Sequence, residues 1–309
     1  MTTVLSLLGW VLRGLLGLLI LTALVACAQY VRNSGTPAVP QQAPESLRVA
    51  TLNVHWIALR RATGDWSVAD WEARKGPLDE ALKTIAPDII GFQEMESFGG
   101  GSMSRENLAL DYLLAQNPDL GAAAQGDPAR FPSTQPIFYR KDRLGLVEEG
   151  WFFFSDTPDV IYSRTFNGSF PAFASWALFE DRSGARVRVI NMHTDFASRS
   201  NRQQSAALVA ERAEPWIAAG ERVVVLGDMN ARAGARTLQI MEGAGFTFLP
   251  IDGATFHFNR GLNLFGAIDH IGVAGPIATG PTTVVRDQFG GRWPTDHYPV
   301  LVDLTLEAP

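Results

Sequence analysis

Carboxylates, histidines and asparagines recur in this chain at the ends of apolar runs. Asp88-Ile-Ile-Gly-Phe-Gln-Glu94, Val189-Ile-Asn-Met-His193, Val223-Val-Val-Leu-Gly-Asp-Met-Asn230 and Thr295-Asp-His-Tyr-Pro-Val300 each carry a side chain suited to metal or phosphate chemistry beside a short apolar stretch. Val49-Ala-Thr-Leu-Asn53 and Ala267-Ile-Asp-His270 add two more. Short apolar or β-branched runs read as buried strands, and layered α/β proteins do their chemistry where strand ends meet loops. Core packing gives no reason for so many strands to end on such groups.

The chemistry open to each follows from its side chain. Glu94 can hold a cation, act as a base or cap the next element. Gly227 allows a sharp turn, so that Asp228 and Asn230, two residues apart, can face one point. Asp228 can then polarise a water, while Asn230 offers a donor and an acceptor to a phosphoryl oxygen. His193 and Asp195 could form half of a zinc site, but no second His-rich segment joins them; a protonated His193 could instead stabilise charge on phosphorus. Asp269-His270 and Asp296-His297 form the strongest pairing, because a histidine oriented by a carboxylate serves as acid or base near neutral pH.

The elements that must position these groups are legible in outline. Strands are expected at 47–54, 88–93, 136–140, 144–154, 173–180, 186–191, 222–226, 267–273, 282–286 and 300–306. Asp181-Arg-Ser-Gly184 reads as a hairpin turn. Helices are expected at 71–85, where Pro87 stops the run, at 106–116, after a Ser198 cap with Ala206, Val209, Ala213, Trp216 and Ile217 inward, and at 235–242. Phe98-Gly-Gly-Gly-Ser102 reads as a mobile loop. Many strands with intermittent helices imply two packed sheets with helices outside.

Composition bounds the rest. The 309 residues, 46% hydrophobic, suffice for one large core. Net charge is −6 and becomes −7 without residues 1–26, whose only charge is Arg13. No basic stripe advertises sequence-independent binding of a long polyanion. The single cysteine, Cys27, excludes an internal disulfide and a multi-thiolate zinc site.

Cys27 follows Leu24-Val25-Ala26 at the end of an uncharged apolar stretch, which resembles the signal peptide and lipobox of bacterial lipoproteins. That resemblance implies cleavage before Cys27 and lipidation of its thiol. An uncleaved anchor helix over 4–31 and a plain secretory signal are the alternatives; all three put the remainder on the extracytoplasmic, periplasmic face of the cell membrane. The expected organisation is a signal peptide or membrane anchor at 1–32, a Pro/Gln-rich flexible linker at 33–45 and one domain at 46–309.

In order, Asn53, Gln93-Glu94, Tyr139-Arg140, Asn191-Met-His193-Thr-Asp195, Arg202, Gly227-Asp-Met-Asn230, Thr255-Phe256, Ile268-Asp269-His270 and Thr295-Asp296-His297 resemble the endonuclease/exonuclease/phosphatase (deoxyribonuclease I-like) family over residues 47–306. The resemblance implies a four-layer α/β sandwich, two packed mixed β-sheets flanked by helices. It implies a metal held by Glu94, with Asn53 and Asp296 close by, and Mg²⁺ as the cofactor, Mn²⁺ being the alternative. It gives catalytic roles to His193, Asp228, Asn230, Asp269 and His297. Arg202 and Asp195 are expected near the substrate, and Tyr139-Arg140 in the sheet framework.

The implied function is Mg²⁺-dependent hydrolysis of a P–O bond, a phosphodiester first, by in-line attack of water. The substrate is expected to be a lipid head group or a nucleic acid, handled by a monomer with no obligate protein partner. Family nucleases often carry a Tyr or Glu where this chain has Phe131-Pro-Ser-Thr-Gln135, so an extracytoplasmic nuclease is the alternative. A non-catalytic module of the same fold is disfavoured because no expected group is missing. A two-metal calcineurin-like phosphatase would need a Gly-Asn-His segment and further histidines, which are absent.

Overall fold

The computed structural model describes residues 2–35, 37–99, 106–168 and 170–307. The loop expected at 98–102 therefore lies mostly outside the described residues. In chain order the first part comprises α1 (Thr2–Asn33), β1 (Leu47–Asn53), β2 (Ile57–Ala58), α2 (Val68–Ile85), β3 (Ile89–Gln93), β4 (Ser97–Phe98), α3 (Leu108–Gln116), β5 (Leu120–Ala123), β6 (Ile137–Arg140) and β7 (Leu144–Phe153). There follow β8 (Phe173–Asp181), β9 (Arg186–His193), α4 (Arg199–Ala218), β10 (Val223–Asp228), α5 (Arg236–Glu242), β11 (Thr247–Phe248), β12 (Asp269–Ala274), β13 (Ile277–Thr279), β14 (Thr283–Val284) and β15 (Val300–Leu306).

Two mixed sheets pack face to face. One runs β13-β15-β1-β3-β6-β5, with β14 on β15; the other runs β11-β12-β10-β9-β8-β7. Side chains alternate along a strand. Val49, Ile89, Val189, Val224 and Leu226 accordingly meet between the sheets. Their neighbours Ala50, Leu52, Ile90 and Phe92 turn outward onto Trp71, Leu78, Leu82 and Ile85 of α2. On the other side Ile190, Met192, Val223 and Val225 turn onto Ala206, Val209 and Ala213 of α4 and Leu238 of α5. Both faces of these strands are covered, which explains their nearly unbroken apolar runs. The four layers are helix, sheet, sheet, helix, as expected.

Caps set the helices where the sequence places them. Ser67 caps α2 by accepting from the Asp70 amide at 3.1 Å, and Ser198 caps α4 by accepting from the Asn201 amide at 3.2 Å. In α3, Leu110 and Leu113 are buried while Leu114 only packs on the core edge.

Segment 33–45, expected as a flexible linker, lies along the domain. The Asn33 carbonyl accepts from the Ala254 amide at 3.0 Å. Asn33 Nδ2 donates to the Asn263 carbonyl at 3.3 Å, and Asn263 Nδ2 donates to Ser34 Oγ at 2.9 Å. Arg48 holds the Pro40 carbonyl at 2.6 Å and Arg143 the Pro44 carbonyl at 3.1 Å. Ahead of this segment, residues 10–33 of α1 form a helix long and apolar enough to cross a membrane.

Candidate phosphoester-hydrolysis site

Strand register assembles the site. In the first sheet β1 and β3 run parallel with Asn53 opposite Gln93, so Asn53 and Glu94 emerge together. In the second, β9 and β10 run parallel with Asp228 opposite His193. β12 pairs antiparallel with β10, which sets Asp269 opposite Asp228. β15 is antiparallel to β1, with Val300 opposite Thr51, so Asp296 and His297 precede it at the same sheet edge. Thr295 fixes that approach by donating its hydroxyl to the Asn53 carbonyl at 2.8 Å.

Asp228 stands at the centre. Its Oδ2 accepts from Asn53 Nδ2 at 3.2 Å and faces His193 Nε2 at 3.6 Å and His297 Nε2 at 3.7 Å. Its Oδ1 accepts from the Asn230 amide at 2.9 Å. Asn53 Nδ2 also donates to Glu94 Oε1 at 3.0 Å, and His193 Nε2 lies 3.9 Å from the same oxygen. Asn230 Nδ2 donates to the Thr194 carbonyl at 2.9 Å and keeps a second N–H.

Behind this face, His297 Nδ1 lies 2.9 Å from Asp269 Oδ2. Burial alone would lower the His297 pKa; the charges of Asp269 and Asp228 and the hydrogen bond that Nδ1 donates to Asp269 overcome it and hold the imidazole well above its usual value. Burial and the charge of Asp269 raise the Asp228 carboxyl above the usual range, against the pull of the two histidines. Two buried groups, each with raised affinity for a proton, therefore face one another.

Asp269 serves His297, whereas His270, on the opposite face of β12, gives its Nε2 to the Ala231 carbonyl at 2.8 Å and lies outside the site. Asp195 is buried in the loop after β9, where its Oδ1 accepts from the Ala197 and Ser198 amides at 2.8 and 2.7 Å. Arg202 spans the same loop, donating to the Asp195 and Phe196 carbonyls at 2.8 and 2.9 Å. Tyr139 packs on Phe179 at 5.0 Å between centroids and Arg140 pairs with Asp142, both in the framework.

Two residues escaped the sequence reading. His55 follows Asn53 in a turn closed by its amide donating to Asn53 Oδ1 at 3.1 Å, and its Nδ1 lies 3.5 Å from Asp296 Oδ1. The ring is buried with neither nitrogen hydrogen-bonded. Arg74, buried in α2, donates to the Val54 carbonyl at 2.7 Å and the Pro294 carbonyl at 3.3 Å, fixing both loops that frame the site. His55 shows in the sequence only as a polar residue among Val54, Trp56 and Ile57, and Arg74, beside Glu72 and Lys75, gives no signal.

The donor set fits a hard divalent cation on the Glu94 side. Glu94 and Asp296 keep 28% and 21% of their side chains open to solvent, while Asn53 turns its Nδ2 to Glu94 and its Oδ1 to the His55 amide. Asp228, Asp269 and His297 also converge, with one ligand atom each within 4.8 Å of the others. There His297 Nδ1 is committed to Asp269, and its Nε2 lies 3.7 Å from Asp228 Oδ2.

Glu94, Asn230 and His55 all have left-handed backbones, with φ of 53°, 45° and 61°. Gly227 has φ 139°, and a Cβ there would lie 1.9 Å from the Met192 carbonyl oxygen, so only glycine admits the turn that presents Asp228.

A sequence profile of the Endonuclease/Exonuclease/phosphatase family matches residues 50–297. No curated protein matches the chain. Among solved structures, an endonuclease/exonuclease/phosphatase family protein from Bacteroides thetaiotaomicron is 23% identical with a TM-score of 0.70, covering 87% of this chain and 100% of its own. A mannosyl-6-phosphatase from the same organism is 23% identical with a TM-score of 0.68, covering 84% and 99%. The human Nocturnin catalytic domain is 15% identical with a TM-score of 0.60, covering 89% and 100%.

Proposed function

Because the chain belongs to the endonuclease/exonuclease/phosphatase family, we propose that it is a divalent-metal-dependent phosphoesterase, with Mg²⁺ as the cofactor and a phosphodiester as the first substrate class. The observation that carries this reading is the placing of Asp228 between Asn53, His193 and the Asp269-backed His297, beside the solvent-open carboxylate of Glu94.

Each residue then has work suited to its geometry. Asp228 takes a proton from water as the water oxygen attacks phosphorus, a role its raised proton affinity favours. His297, kept protonated by Asp269, and His193 stabilise negative charge growing on the phosphoryl oxygens. The spare N–H of Asn230 binds one of those oxygens. Glu94, Asn53 and Asp296 would hold the cation, which would supply Lewis-acid stabilisation at the phosphate. The ester P–O bond breaks on the face opposite the incoming water. The segment before the domain serves as an extracytoplasmic membrane anchor, either lipidated at Cys27 or uncleaved.

The test is a substrate panel with Mg²⁺ that includes bis-p-nitrophenyl phosphate, DNA, RNA, phospholipids and a sugar phosphate monoester, the last because one structural relative is a mannosyl-6-phosphatase. Asp228→Ala and His297→Ala should each lower turnover on the best substrate at least about a hundredfold with the fold retained. Near-wild-type turnover in either variant defeats the mechanism.

A further inference from the structure

The apolar helix α1 does not leave the domain at an arbitrary point. Its last residue, Asn33, is buried and joined by hydrogen bonds to Ala254 and Asn263. The loop between these two partners carries Phe256 and Phe258, and Phe256 packs against His297 with ring centroids 5.0 Å apart and the planes tilted by 54°. The helix end and the catalytic histidine are thus bracketed by one ten-residue stretch, 254–263.

The outer side of this stretch is apolar. Phe258, Leu262 and Phe265 are exposed by 39%, 40% and 42%. Phe265 carries the Arg232 guanidinium over its ring at 5.0 Å, and Arg260 is exposed on the same loop. Phe98 follows Glu94 and Phe196 follows His193; both are exposed as well. Aromatic rings beside arginines are the side chains that settle at a lipid–water boundary, where the rings reach the acyl region and the cations meet lipid phosphates.

We propose that loop 256–265 rests on the bilayer that holds α1, so that the site opens onto the membrane surface and takes a phosphoester in a lipid head group. The proposal rests on the phosphoesterase reading for its chemistry, but its placement of the membrane is independent of it. It holds for either anchor: cleavage before Cys27 leaves only about 9 Å of helix between acyl chains and Asn33, at 1.5 Å per residue, and an uncleaved α1 enters the bilayer at the same place.

Two measurements on the full chain in phospholipid vesicles decide the matter. In a Cys27→Ser background, an environment-sensitive fluorophore is attached through Phe265→Cys, or through Val147→Cys on β7, the edge strand of the sheet that also holds β12. Spin-labelled lipid should quench the label at 265 several-fold more than the label at 147; equal quenching overturns the placement. Separately, Leu262→Ser/Phe265→Ser should lose at least tenfold in head-group release from vesicles of phosphatidylethanolamine, phosphatidylglycerol and phosphatidylcholine, while hydrolysis of soluble bis-p-nitrophenyl phosphate is unchanged. Hydrolysis of the soluble diester or of nucleic acid with no lipid turned over overturns the substrate class. If no phosphoester of any kind is hydrolysed, the phosphoesterase reading and the lipid substrate fail together, and the quenching result still decides where the loop lies.

Discussion

Gln93 and Asn191 share a 2.7 Å hydrogen bond from Nε2 to Oδ1 across the interior between the two sheets. Gln93 precedes Glu94, and Asn191 lies two residues before His193, so the bond registers one half of the site against the other. Asn191 also donates to the Phe92 carbonyl at 2.8 Å, and Gln93 reaches Thr51 at 3.0 Å. Asn191→Leu strands these buried partners and should cost about 2–4 kcal/mol. Turnover should fall further than the folded fraction does, because Glu94 and His193 lose their alignment. Urea unfolding and turnover per folded molecule check both; a variant of wild-type stability and rate would show the clamp to be dispensable.

Glu94→Gln keeps the shape of the side chain and its contact with Asn53 but removes the charge that attracts a hard cation. The variant should fold normally and need at least about tenfold more Mg²⁺ for half-maximal activity, given the usual worth of a charged ligand. Calorimetric titration with Mg²⁺ and Mn²⁺ gives the same answer without turnover. A titration superimposable on wild type removes Glu94 from the metal site.

His257 lies under the site with Tyr298 stacked on it at 4.2 Å, and burial lowers its pKa to about 4. In the unfolded chain it titrates near 6.5, so between these values the unfolded state binds a proton that the folded state refuses. Stability supplied by the neutral ring is whole above pH 6.5 and is lost as pH falls, by about 3 kcal/mol at pH 4. His270, also held low by burial, acts in the same direction. Urea midpoints at pH 7.5 and pH 5 should differ in wild type and differ less in His257→Gln; an unchanged gap would clear His257 of the effect.

The anchor reading is settled by mass spectrometry of the membrane fraction. With a lipidated Cys27, the mature chain begins at that residue, takes up labelled fatty acid, and Cys27→Ser accumulates as a longer, unlabelled form. An intact Met1 in the wild type identifies α1 as an uncleaved helix.

What the sequence disclosed was whatever local pattern determines. Strands β1, β3, β9, β10 and β15 are runs of branched apolar residues, and their polar ends marked seven of the groups that meet in the site. Strand β5, Leu-Gly-Ala-Ala, has no such signature; it is a strand because β6 offers it a partner, with Leu120 opposite Arg140. The two-residue pair β2 and β4 is too short to show any period. His55 was hidden because its neighbour Asp296 comes from the other end of the chain. The docking of 33–45 was hidden because it rests on backbone carbonyls accepting from Arg48, Arg143 and Arg286, which composition does not reveal.

The left-handed turns at Glu94, Asn230 and His55 each hold a non-glycine residue in a conformation that costs on the order of 1 kcal/mol. Selection in the laboratory for heat resistance alone would therefore reach the reactive centre as readily as the left-handed turns elsewhere, at Trp66, Ala86, Ala124 and Tyr162. Glycine at 94 or 55 relieves the backbone while leaving the sandwich intact, so the hardiest descendants of this chain would be well-folded proteins that no longer turn over any ester. Thermal screens on this scaffold need an activity readout in every round.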